Sequence, residues 1–366
     1  MISHSSAAGV PDNFDTGPLS WVMGEIREAL NRSAGVIEEA VAQDTETQAT
    51  ALRHAKMFLH QAHGALQMVD VEGVTIITET AEDILNRMAS GTVPVSVQSA
   101  QQVANAYNAM IEYLEELLAG SPHQPVRLFP YYKELLQLRG AERIHPSELF
   151  FPNLAIRPQL PPAGPDAGAP DSSTLRQRYE KALLPFLKST DRGTELANAA
   201  VMHGVIGEVE RAQTSQQSRG FWWVMRGFAE LMSSGKLSNE VHVKQLFARI
   251  NMQIRRLGKE PSGVDEALLR DALFFIALAD DPSPSVQQIR TVYQLDGMVP
   301  ADFEKKRYGQ IDAEALTAAK ARLSQAKSMW NRVASGDASA ATPFEQAMQG
   351  LSDSGTRLNS ASLTKL

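Results

Sequence analysis

Apolar residues at Leu52, Ala55, Leu59, Ala62, Leu66 and Val69 recur with alternating spacings of three and four, which lays one buried stripe along a helix. The same periodicity runs through residues 18–43, 46–70, 72–90 and 96–119, with breaks near Asp44, from Val71 to Gly73, and from Gly91 to Pro94. No segment alternates with period two, so strands are not expected. Short connections force successive helices to run in opposite directions, and residues 18–120 therefore predict an antiparallel four-helix bundle. A helical appendage follows at 121–154, centred on LFPYYKELLQLRG (128–140). Helical periodicity lapses in AIRPQLPPAGPDAGAPDSS (155–173), where proline, glycine and alanine predict an extended linker. It resumes near 174–189, 194–213, 217–234, 239–257, 264–278, 283–294 and 312–334, a second all-α domain over 174–334. The small polar residues of 1–17 predict disorder, and those of 335–366 a flexible tail. The tail has no natural helix end, which fits a fragment of a longer chain. The fold class predicted is all-α, with tandem antiparallel helical bundles.

Composition narrows the chemistry. The 366 residues are 43% hydrophobic, enough for two cores of ordinary size. The net charge is −7 and the 35 basic residues are scattered, which argues against nucleic acid or an anionic membrane as partner. There is no cysteine, so disulfides, thiol nucleophiles and cysteine-held zinc are excluded, and a reducing cytoplasmic setting fits. The N-terminus lacks a basic-then-apolar signal pattern, and no apolar run approaches the roughly 18–20 residues that span a bilayer. No nucleotide-binding loop, Ser-His-Asp motif or carboxylate-rich metal pattern is visible, and no cofactor is expected.

One stretch is chemically conspicuous. In FLHQAHGALQM (58–68) two histidines and a glycine stand within one helix, although glycine costs about 1 kcal/mol against alanine there. At about 100° per residue, His60 and Gly64 point away from the buried stripe, with Lys56 and Gln67 on the same side and His63 at its edge. An exposed glycine one turn after an exposed histidine leaves room for a bulky group on the imidazole and for a partner surface. A neutral imidazole is nucleophilic near pH 7, and Lys56 and His63 are the donors available to stabilise a phosphoryl group. Met57 and Met68 bracket this face as adaptable apolar contacts for docking, unless the appendage or second domain covers them.

The pattern His60-x-x-His63-Gly64 on the second helix of a bundle resembles the histidine-phosphotransfer (HPt) domain, whose usual form is His-x-x-Lys-Gly. It departs from that form at His63. The wider context, LSWVMGEIREAL (19–30), LHQAHGALQMVDVEGV (59–74), LFPYYKELLQLRG (128–140) and ELFFPNL (148–154), resembles the N-terminal region of the CheA-like histidine kinase that controls type IV pili and twitching motility. It is similar also to FimL, a separate protein related to that region. The resemblance continues through GFWWVMRGFAEL (220–231) and LLRDALFFIALA (268–279). It implies a chemosensory signalling module whose partners are response-regulator receiver domains and other pilus-control proteins. It also implies that His60 is the phosphoacceptor, supported by Lys56, His63, Gly64 and Gln67.

A shift of 163 residues lays Trp223-x-x-Arg226-Gly227 on His60-x-x-His63-Gly64, and Trp222 on Leu59. Tryptophan cannot carry a phosphoryl group, so the second domain would be a degenerate HPt-like bundle. The preceding helix offers a competing register through His203 and Gly207, with Ile206 in the lysine position. For His60, two other readings stand beside phosphotransfer: a solvated surface histidine, and a metal site that would need a third ligand, with Asp70 nearest. Two functions follow, a phosphorelay module acting through His60 and a non-catalytic FimL-like adaptor. Neither includes a kinase ATP-binding segment, so no ATP hydrolysis is expected from these residues.

Overall fold

A computed structural model describes residues 15–161, 171–257, 264–309 and 313–357. Among these the regular structure is entirely helical. The first bundle comprises α1 (Thr16–Ala40), α2 (Thr45–Met68), α3 (Val74–Ala89) and α4 (Val97–Leu118). Each start has a local cause. The Asp15 carboxylate accepts from Gly17 N, so α1 begins two residues before the expected Pro18. The Asp44 carboxylate accepts from the backbone N–H groups of Glu46 and Thr47 to open α2, and Ser96 and Ser99 form a reciprocal capping box at α4. Before α3, Gly73 has φ +86°, and a Cβ there would lie 2.5 Å from Pro125 Cβ, so both backbone and space require glycine.

The apolar stripe closes as the spacing predicts from Leu52 to Leu66, with Leu52, Ala55, Leu59, Ala62 and Leu66 all buried, whereas Val69, just past the end of α2, is only half-buried. Helix α1 packs on α2 and α4, and α2 packs on α3. One polar link fixes the register of three helices. Ser33 Oγ donates to Ala55 O at 2.9 Å and receives the Tyr107 hydroxyl at 3.3 Å, all buried.

The stretch after α4 is core, not appendage. A 3-10 turn (Pro125–Leu128) leads into α5 (Phe129–Arg139), whose Phe129, Tyr131, Tyr132, Leu135 and Leu136 are buried. It packs on α3 and α4 and also reaches the second half. The Tyr131 hydroxyl donates to Tyr308 O, and Gln124 donates to Gly297 O. Lys306 pairs with Glu134 at 2.6 Å and Arg307 with Glu116 at 2.7 Å.

Helices α6 (Ser172–Lys188), α7 (Arg192–Arg211), α8 (Gln216–Ser233) and α9 (Val241–Arg256) form the second bundle, with α10 (Glu266–Leu278) and α11 (Pro284–Tyr293) laid over α8. The pairings repeat those of the first: α6 on α7 and α9, and α7 on α8. The joint between halves holds a buried carboxylate. Asp271 on α10 receives Arg143 Nη2 on both oxygens (3.0 and 2.9 Å), Ser147 Oγ at 2.5 Å and Arg249 Nη1. Ser147 belongs to a 3-10 turn (Pro146–Leu149) on the first-bundle side.

Of the expected linker, residues 162–170 lie outside the described ones, as do 1–14 of the N-terminal segment and 358–366 of the tail. The remainder of the tail differs from expectation. Helix α12 (Ala313–Ala334), a short 3-10 turn and α13 (Ala341–Arg357) make a hairpin packed mainly on itself.

Candidate functional site

Helix α2 presents His60 outward, with 71% of its side chain exposed. Its Nδ1 lies 3.0 Å from Glu82 Oε1 on α3. The carboxylate only accepts, so in the neutral ring the proton sits on Nδ1 and the Nε2 lone pair faces solvent. Glu82 sits one turn after Thr78 on the edge of α3 against α2, so helix packing brings it across. Sequence spacing gives no sign of it, because a separation of 22 residues becomes a contact only when the two helices meet at this register.

Three of the residues grouped with His60 lie where the helical angles place them. Gly64 has no atom within 4 Å of an added Cβ, so the space over it is open. Lys56 is half-buried and forms no ion pair among the described residues, and Gln67 is exposed. His63 differs. It is buried, its ring 6.2 Å from that of His60, and its Nδ1 lies 2.7 Å from Thr78 Oγ1. The Thr78 hydroxyl proton goes to Thr75 O, so His63 Nδ1–H donates to Thr78. The reason is angular: His63 turns about 60° from His60 toward α3, and α3 covers it. It therefore does not supply the exposed cation that stands at this position in the usual HPt pattern.

Met57 and Met68 are 53% and 85% exposed, so neither α5 nor the second half covers them. Asp70 joins His60 and His63 in no metal-binding group, and among the described residues no cluster of three or more candidate metal ligands occurs.

The second bundle corrects the register assigned to its degenerate site. Its second helix is α7, not α8, and an offset near 143 carries α2, α3 and α4 onto α7, α8 and α9. His203 and Gly207 thus stand in the places of His60 and Gly64. Trp222 and Trp223 are core, and Gly227 is a packing glycine whose added Cβ would meet Ile289 Cδ1 at 2.3 Å. The α7–α8 groove is filled: the Arg226 side chain lies 3.5 Å from a Gly207 Cβ and pairs with Glu210 at 3.1 Å. Burial lowers the basicity of His203, with Glu230 opposing and Arg226 adding to the shift. Where the first bundle leaves open space over Gly64, in the second Arg226 occupies the space over Gly207.

Among the described residues no helix is long and apolar enough to cross a membrane. Residues 165–306 match the family model described as the FimL scaffold protein second domain. The chain is 24% identical over 300 residues to a protein of Pseudomonas aeruginosa named scaffold protein FimL, a stretch covering 78% of this chain and 50% of that relative. The chain therefore spans about half the length of the curated relative it matches. No solved structure matches it.

Proposed function

We propose that this protein is a FimL-like scaffold in a bacterial signalling pathway controlling type IV pili, in which two helical bundles hold partner proteins without transforming them. The observation that carries this reading is the match of residues 165–306 to the second domain of a scaffold family. Supporting it, the second bundle keeps the architecture of the first while its histidine groove is filled by Arg226 and its glycine closed over. A fold retained with its histidine half-buried and its groove occupied fits binding better than turnover. Met57, Met68, Gly64 and Gln67 are then parts of a protein-contact face on α2.

One observation favours a second reading for the first bundle. Glu82 holds His60 Nδ1 and leaves Nε2 outward, the arrangement an imidazole nucleophile needs. In that reading Nε2 attacks the aspartyl phosphate of a receiver domain. The N–P bond forms at Nε2, the O–P bond breaks with its electron pair left on the aspartate carboxylate, and the proton remains on Nδ1, hydrogen-bonded to the Glu82 carboxylate whose charge offsets the phosphoimidazolium. Lys56 is the cation nearest in the helix to the transferred group.

A paired experiment separates the two. A purified receiver domain from the same genome, labelled on its aspartate, is mixed with the wild-type chain and with His60→Gln, and both chains are tested for restoring twitching to a deletion strain. The scaffold reading expects no acid-labile label on either chain and full rescue by His60→Gln. Label that depends on His60, together with failed rescue, would replace it by phosphotransfer.

A further inference from the structure

The exposed edge between α1 and α2 is a cleft of about 400 Å³ lined by Glu25, Glu28, Ala29, Arg32 and Gln61. Trp21, Glu25, Glu28 and Arg32 recur at helical spacing on one strip of α1, and Met57, Gln61 and Met68 on the facing strip of α2. The Ser33–Ala55 contact sets the antiparallel register, which brings Trp21 level with Met68. Both are 85% exposed. The cleft thus carries an apolar end and an acidic middle. Arg32 pairs with Glu28, while Glu25 has no partner among the described residues.

The same chain contains a complementary element. Among the described side chains of the α12–α13 hairpin the buried ones are alanines, Ala319, Ala326 and Ala347, together with Ala340 of the connecting turn, and the half-exposed Trp330 ring lies 5.3 Å from that of Phe344. Methyl groups and one half-exposed ring pair bury little area, and isolated helix pairs are marginal in water, so this seam is a weak reason for the hairpin to persist alone. An edge of α12 beside this seam is better equipped. Lys320, Leu323, Lys327 and Trp330 follow one another at three- and four-residue steps along α12, all exposed, and neither lysine forms an ion pair among the described residues. An alternating basic and apolar stripe is what an acidic cleft with an apolar end would take.

We propose that the Lys320–Leu323–Lys327–Trp330 stripe of α12 docks into the α1–α2 cleft of a second copy of this chain, and that the exchange is reciprocal. A two-fold axis makes both contacts at once and closes the dimer. His60 and Glu82 lie on the α3 side of α2, so this contact leaves that face open. The proposal does not depend on the scaffold reading or on phosphotransfer.

Sedimentation equilibrium of the full chain from about 1 to about 100 μM tests it, since micromolar affinity is the scale of a two-patch contact of this kind. Two charge-reversed variants are compared, Glu25→Lys/Glu28→Lys and Lys320→Glu/Lys327→Glu. All four side chains are exposed, so helix content by circular dichroism should be unchanged. Wild type is expected to dimerise, and each variant alone to bind itself more than about tenfold more weakly, because like charges then face each other. An equimolar mixture of the two variants should dimerise again, since each stripe meets a cleft of opposite charge in the other chain. A wild type that stays monomeric throughout overturns the proposal. So does a dimer that survives the cleft reversal, which would mean hairpin-to-hairpin pairing, and so does a mixture that fails to recover.

Discussion

Replacing Asp271 by asparagine should loosen the joint between the two halves of the molecule. The side chain is 3% exposed and is the common acceptor for Arg143, Arg249 and Ser147. Burial by itself would raise its pKa, but the hydrogen bonds from Ser147 and Arg143 and the Arg143 charge outweigh burial and hold it below the ordinary carboxylate value. Asparagine keeps the shape and removes the charge. Breaking a buried ion pair costs about 3–5 kcal/mol. Here both guanidinium groups are partly exposed and can turn to water, which places the loss near the lower bound, about 3 kcal/mol. At about 2–4 °C per kcal/mol for a unit of this size, the melting temperature should fall by about 6–12 °C. Because Arg143 and Ser147 lie on one side of the joint and Arg249 and Asp271 on the other, the wild type is expected to unfold in a single calorimetric transition and the variant in a broadened or split one. Urea titration of both proteins gives the free energy, and calorimetry the cooperativity. A loss below about 0.5 kcal/mol, the range of ordinary surface substitutions, would mean that the cluster does not couple the halves.

Two further outcomes follow from the same geometry. Gly64→Ala should leave stability unchanged or raise it by up to about 1 kcal/mol, because the Cβ meets nothing and alanine favours helix; Gly227→Ala should cost about 1–3 kcal/mol, because its Cβ runs into Ile289. Chemical denaturation of both variants compares them, and equal effects would contradict the packing at Gly227. Burial pushes His145 down to about 3 and His123 down to about 4. Each stays neutral when folded while its unfolded form takes up a proton below about pH 6.5, so stability is full above that value and falls as pH drops toward the folded pKa. By pH 5 each should have cost about 2 kcal/mol, readable as a lower urea midpoint than at pH 7; an unchanged midpoint would place both rings in water.

Much of the fold is local in origin and could be read from residue order. The stripe from Leu52 to Leu66 fixes which face of α2 is buried, and Asp15, Asp44 and Ser96 mark helix starts through bonds to their own neighbours. Helical angles alone separate the outward His60, Gly64, Met57 and Met68 from the core. The contacts between helices are another matter, because they depend on which helix lies against which, and at what level. Glu82 reaches His60 across 22 residues, Thr78 claims His63 because α3 covers that edge of α2, and Tyr131 meets Tyr308 across the two halves. Register in the second bundle is the clearest case. The local pattern Trp223-x-x-Arg226-Gly227 imitates the histidine motif well, yet α8 occupies the place of α3. Only the packing order of α6 to α9 assigns the matching positions to His203 and Gly207. Periodicity records how a helix is buried; it carries no record of its partner, which is set by the summed fit of side chains distant in the chain.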